Sequence, residues 1–152
     1  MNNYKYIYPP NARHQEQLDI MLDMEQQDKD PMDPEYIDQE ILFKTDHWHV
    51  SNNRFPYEGA EKQFLIVAMG PVYQLNDISS EMWDDLRKIW LKLKDEYSLD
   101  GGGLCMRFGN PAKSGASLTR VHAHIIMPKD GEKVKFGIGG RKELREGLTI
   151  KK

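Results

Sequence analysis

The stretch Gly115-Ala116-Ser117-Leu118-Thr119-Arg120-Val121-His122-Ala123-His124-Ile125-Ile126-Met127-Pro128 decides how the chain is read. The run from Leu118 to about Met127 predicts a strand. Successive strand side chains point to opposite faces. Arg120, His122 and His124 therefore share one face, while Val121, Ala123 and Ile125 share the other, which can pack on a core. Nitrogen-rich groups about 6–7 Å apart along a strand suit an anion. A neutral imidazole among them is a candidate nucleophile toward phosphorus. The loop before the strand, with Gly109, Gly115 and the hydroxyls of Ser114 and Ser117, can bring backbone N–H groups to phosphate oxygens. The bare pattern is weak, since His-x-His also marks half-buried strand histidines or part of a metal site. His47-Trp48-His49 is a second instance, read as structural on an edge strand.

Outward from that strand, hydrophobic periodicity supplies the other elements. Phe64-Leu65-Ile66-Val67-Ala68 is continuously apolar, as in a strand buried on both faces. Ile41–Lys44, Trp48–Ser51 and Leu104–Phe108 are further short strands between turn signals. Val134–Ile138 predicts a last one. Between them, Ser79 reads as an N-cap, with Ile78 and Trp83 placed as a hydrophobic staple. The helix that follows carries Met82, Leu86, Ile89, Trp90, Leu93 and Tyr97 on one stripe and stops at Asp100-Gly101-Gly102-Gly103. A first amphipathic helix over 11–29 has Asn11 as N-cap and Leu18, Met21, Leu22 and Met24 on one side, ended by Pro31 and Pro34. Strands joined mostly by tight turns, with one central helix, predict an α+β fold with an antiparallel sheet of about five strands.

Composition sets the class. Hydrophobic residues are 39% and charged residues 30% of the 152, the balance of an ordinary globular protein. No apolar run reaches the roughly 20 residues needed to cross a bilayer, and Met1–Lys5 lacks the pattern of a signal peptide. The expected location is cytoplasmic, with no membrane partner. A lone Cys105, in an apolar strand, is expected to be buried and inert. Residues 1–46 carry eleven acidic against four basic side chains, and residues 129–152 eight basic against four acidic. The basic end is read as solvated rather than as a nucleic-acid site, because Phe136 is its one aromatic and no stacking platform accompanies it. Phe136-Gly137-Ile138-Gly139-Gly140 reads as a turn rather than a phosphate cradle. His122 and His124 alone are too few for a closed zinc site. The organisation expected is an N-terminal helical extension and connector (1–39), a central domain (40–138) and a basic tail (139–152).

Gly115–Ile126 resembles the signature of the histidine-triad (HIT) family, with Arg120 in the place of the first histidine, His122 the middle one and His124 the third. The resemblance extends over roughly residues 40–138, through Phe64–Val67 with Pro71-Val72, the Asn53 and Phe55-Pro56-Tyr57 turn, and Met106–Asn110. It implies a nucleotide hydrolase or nucleotidyl transferase, of the dinucleoside polyphosphate or nucleoside phosphoramidate type, working without cofactor or metal as a homodimer. His122 would attack the α-phosphorus through Nε2, with Nδ1–H held by the Arg120 carbonyl. His124 would bind phosphate oxygens and aid the leaving group. Ser117, Asn110, Gly115 and Gln63 would bind the nucleotide or its phosphate, and Asn53 would lie near the ribose. Ile41, Phe43 and Trp48 are read equally as wall of a base pocket or as core. Two positions depart from the family pattern. Arg120 replaces a histidine, and its charge is expected to keep His122 neutral. Gln63 stands where many members carry another histidine, so leaving-group protonation is in question. A nucleotide-binding or partner-regulating protein that keeps the fold is the second reading, and a small metal-binding module the third.

Overall fold

The computed structural model describes residues 3–151. Helix α1 spans Gln15–Gln26, α2 spans Ser80–Glu96, and a single turn, α3, spans Pro111–Ser114. The strands are β1 (Ile41–Lys44), β2 (Trp48–Asn52), β3 (Ala60–Ala68), β4 (Gly103–Met106) and β5 (His122–Pro128). They form one antiparallel sheet in the order β1-β2-β3-β5-β4. The expected α+β class and five-strand sheet are therefore present.

Period-two alternation divides the sheet into two chemically distinct faces. Trp48, Val50, Phe64, Ile66, Ala68 and Ala123 pack against Met82, Leu86, Ile89 and Leu93 of α2. The Ser79 hydroxyl caps that helix by accepting from the Met82 N–H. The other face carries His49, Ser51, Gln63, His122 and His124, all buried although polar, with Leu65 and Val67 between them. Met32 of the connector after α1 packs on Leu65 and Val67.

Several boundaries differ from expectation. Helix α1 starts at Gln15 after His14, while Asn11 lies in a short 3-10 turn and is buried. Its side-chain amide donates to the carbonyls of Pro111 and Ala116 at 2.9 and 2.7 Å, so it ties elements together instead of capping the helix. Trp83 is 43% exposed, and Met82 takes the place expected of it beside Ile78 in the core. Strand β5 begins at His122, with Arg120 in a bend. Of the second His-x-His, His47 lies in a bend while Trp48 and His49 begin β2, which lies inside the sheet and not at its edge. Val134–Ile138 forms no strand. Its residues run instead across the polar face, where Lys133, Lys135 and Gly137 line the space over β5 and Phe136 packs on the His124 ring. Gly139 and Gly140 then pass the α3 turn, with the Gly140 N–H donating to Ala112 O at 3.1 Å. A Cβ on Gly140 would lie 2.4 Å from the Pro111 carbonyl oxygen, so only glycine allows this approach. Beyond it the tail meets the N-terminal segment. The Arg141 N–H donates to Asn11 Oδ1 at 2.9 Å, and the Thr149 N–H to Gln15 Oε1 at 2.9 Å.

Candidate functional site

The two histidines of β5 lie at the floor of a cavity of about 730 Å³ between the polar face of the sheet, the N-terminal segment and the tail. Strand pairing positions them, with His122 opposite Val67 and His124 opposite Leu65 on β3, and Cys105 of β4 beside His124. Their rings meet edge to face at 5.3 Å between centroids. Both are nearly enclosed, at 6% and 5% exposure, yet both line the cavity.

Hydrogen bonds give the two imidazoles opposite tautomers. His122 Nδ1 lies 2.7 Å from the Arg120 carbonyl oxygen. A carbonyl can only accept, so the proton is on Nδ1 and Nε2 keeps its lone pair. At His124 the determining partner is Gln63. The Gln63 Oε1 accepts the Tyr57 N–H at 2.7 Å, which turns its Nε2 toward His124 Nδ1 at 3.2 Å. An amide NH₂ can only donate, so His124 Nδ1 accepts and its proton sits on Nε2. One ring thus offers a lone pair and the next an N–H. Burial is the main reason both pKa values lie below the ordinary histidine value, His124 well below; at His124 the neighbouring His122 adds to it. Both are neutral at neutral pH.

Arg120 emerges on the same side as the histidines but does not line the cavity. Its Nε donates to Asp30 Oδ2 at 2.9 Å, Nη2 to Asp33 at 3.5 Å, and Nη1 to the carbonyls of Ala68 and Met69 at 3.3 Å. The connector has captured the guanidinium, and what faces the site is its backbone carbonyl. The cation acting on His122 is Arg107, contrary to expectation for Arg120. Arg107 follows β4 and is held by donating to Ser114 O at 2.7 Å, to Gly137 O and to Tyr57 Oη at 3.2 Å. Its guanidinium lies 3.9 Å from the centroid of Phe136. Phe136 and Tyr57 in turn pack on the His124 ring at 5.5 and 5.8 Å.

The remaining expected residues separate into two groups. Ser117, Gly115 and Asn53 line the cavity. Gly115 has φ +87°, and a Cβ there would stand 2.7 Å from the Gly139 carbonyl oxygen and 3.0 Å from Arg107 Nη1. Asn53 Oδ1 accepts the Phe55 N–H at 2.9 Å and so shapes the turn above the site. Gln63 and Asn110 do not line it. Gln63 is buried behind His124, and Asn110 caps α3 by accepting the Ala112 N–H at 3.0 Å. Trp48 and Phe43 belong to the core on the α2 side, and Ile41 is no part of the cavity wall. The apolar wall is made instead by Ile20, Met21, Met32, Ile37 and Leu65. Cys105 is half-buried, not enclosed, and burial pushes its thiol pKa up. Among the described residues no third His, Cys, Asp or Glu joins the two histidines in a cluster that could hold a metal ion.

Sequence reasoning missed Arg107, Tyr57 as a ring partner of His124, and the tail as a cavity wall. The sequence offered one signal for Arg107, its place two residues from Cys105 in the expected strand Leu104–Phe108; the register that sets Cys105 beside His124 comes from the structure.

No family model matches the chain, and no curated protein does. Solved structures do match in fold. A histidine triad nucleotide-binding protein from Candida albicans is 22% identical, with a TM-score of 0.56 over 74% of this chain and 80% of that one. A HIT family hydrolase from Clostridium thermocellum is 17% identical, with a TM-score of 0.52 over 64% of this chain and 85% of that one. The diadenosine triphosphate hydrolase of Plasmodium falciparum is 17% identical, with a TM-score of 0.51 over 65% and 67%. The chain has the histidine-triad fold.

Proposed function

We propose that the chain belongs to the histidine-triad family and is a nucleotide hydrolase or nucleotidyl transferase that attacks an α-phosphate through His122. The observation that carries this reading is the pair of opposed tautomers on the cavity floor: a lone pair on His122 Nε2 beside an N–H on His124 Nε2. The nucleotide base would rest on the apolar wall of Ile20, Met21, Met32, Ile37 and Leu65, with the phosphates toward Ser117 and Gly115. The two neighbouring folds named for a hydrolase and a nucleotide-binding protein are consistent with such a ligand.

The reaction balances without a metal. The His122 Nε2 lone pair forms the P–N bond, and the P–O bond to the leaving group breaks with its electron pair on oxygen. The new positive charge on the ring is shared with Nδ1–H, which the Arg120 carbonyl already holds. The His124 Nε2–H donates a hydrogen bond to a phosphoryl oxygen as charge develops. Water then attacks phosphorus, the P–N pair returns to Nε2, and a proton passes to solvent. An acceptor hydroxyl in place of water makes the same step a transfer.

Incubation with a panel of adenylyl and guanylyl substrates, an alkaline quench and intact-mass measurement tests this. The expected result is added mass of one nucleoside monophosphoryl group, acid-labile and absent from His122→Ala. Thermal stabilisation by nucleotide with neither adduct nor turnover would instead establish a binding protein.

A further inference from the structure

The cavity has a basic half that the chemistry above does not use. Arg13 precedes α1, and Arg141 and Arg145 lie in the tail; all three line the cavity. No carboxylate lies within ion-pairing distance of any of them among the described residues. Arg13 donates to the Phe55 carbonyl and stands 4.3 Å over the Tyr57 ring, which also stacks on His124. Arg145 and Arg107 both act on Arg13 as like charges. Lys133 and Lys135 add further positive charge to the wall, against Glu58, Glu132 and an Asp38 already paired with Arg54. Guanidiniums gathered without counter-charge in a concave site are unfavourable until an anion arrives.

The floor leads to the same conclusion independently. A leaving amine needs a proton as it departs, whereas a phosphate oxygen leaves as an anion. The described floor supplies no surplus proton. Arg120 is locked to Asp30, the Gln63 amide faces His124 and does not release a proton near neutral pH, and the neutral His124 cannot give up its N–H without becoming an imidazolate.

Resting on the His122 reading above, we propose that Arg13, Arg141 and Arg145 form a leaving-group subsite for a phosphate chain carrying two or more negative charges. The substrate class is then a nucleotide whose α-phosphate is followed by further phosphates, not a nucleoside phosphoramidate. When the α-phosphorus bonds to His122 Nε2, the bridging oxygen keeps the electron pair of the broken P–O bond, and the arginines hold the resulting polyphosphate.

Two measurements test this on the full chain. The first compares kcat/KM for a dinucleoside tetraphosphate and a phosphoramidate of the same nucleoside. The variant is Arg141→Gln/Arg145→Gln, chosen because both residues are exposed. The tetraphosphate-to-phosphoramidate ratio is expected to exceed one in the native chain and to fall by about 10–100-fold in the variant. Raising salt from about 0.05 to 0.2 M is expected to lower it as well. A ratio below one, or an equal loss on both substrates, overturns the proposal. The second titrates inorganic tripolyphosphate by calorimetry, which needs no turnover. Binding that the double variant weakens by about tenfold or more supports the subsite. Binding that is absent, or equal in both proteins, overturns it. Absence of a His122 adduct with retained, arginine-dependent tripolyphosphate binding would refute the nucleophile and keep the subsite.

Discussion

The chain carries the same three-residue pattern twice, and the two copies have opposite fates. His47-Trp48-His49 and His122-Ala123-His124 both put a histidine on the polar face of one sheet, and both bury it. His49 meets packed connector, and its Nε2–H donates to the Met32 carbonyl at 2.8 Å. Its Nδ1 has no hydrogen-bond partner, so a lone pair is sealed in the interior. His122 keeps a lone pair too, but a cavity lies ahead of it. The pattern determines which face the imidazole takes. What the flanking segments lay over that face determines whether the nitrogen can react.

The sharpest way to break the comparison is to remove each ring in turn. His122→Ala is expected to lower turnover by about 10⁴-fold or more, since the proposed nucleophile has no substitute. His49→Gln, which keeps an N–H for Met32, is expected to change it less than about threefold. Initial rates on one nucleotide substrate decide this, and equal losses would erase the distinction. Next comes the clamp that holds the connector against the sheet. Asp30→Asn leaves the Arg120 guanidinium buried with its principal charge partner gone, at a cost of about 3–5 kcal/mol in urea unfolding. Gln63→Leu removes the amide that sets the His124 tautomer. Partners of this kind on metal-bound histidines are worth about 10–100-fold, and kcat is expected to fall by a similar factor here, with about 1–3 kcal/mol of stability lost because the Tyr57 N–H loses its acceptor.

The smallest effect is a slope. Burial, the leading cause for each, lowers the pKa of His49, His122 and His124 below the ordinary histidine value. Each is then charged at a higher pH in the unfolded chain than in the folded one. Their contribution is complete above about pH 6.5 and is lost as pH falls from there through the lowered values. The urea midpoint is expected to drop between pH 7 and 5, and His49→Gln to flatten that drop without removing it. An unchanged slope would show that His49 takes up no proton on unfolding in that range.

Much of this was legible in the residues because it is local. The α2 stripe, the Ser79 cap, the strand alternation around His122 and the Arg120 carbonyl all follow from neighbours within a few positions. Arg120 itself shows the limit. Alternation gives its side of the sheet, but its partner Asp30 is ninety residues away and no period points to it. Asn110 looked like a phosphate ligand, yet Asn before Pro at the start of a helical turn caps that turn. Val134–Ile138 has strand chemistry but pairs with no strand, and its Phe136 side chain packs on His124 and Arg107 instead. The basic tail, expected to be solvated, became a wall because the glycines at 115 and 140 let it approach.

The tie between Asn11 and Arg141 has a consequence for how the site comes into being and how it fails. The floor rests on ladder pairing between adjacent strands, while the roof is stapled by hydrogen bonds spanning 130 and 134 positions of chain. Those staples enclose few apolar groups, so the roof can lift for far less free energy than the sheet needs to melt. Amide hydrogen exchange would register this as two tiers, with 136–149 turning over long before β3 and β5. A chain warmed gently would open its cavity while its spectroscopic secondary structure stayed intact.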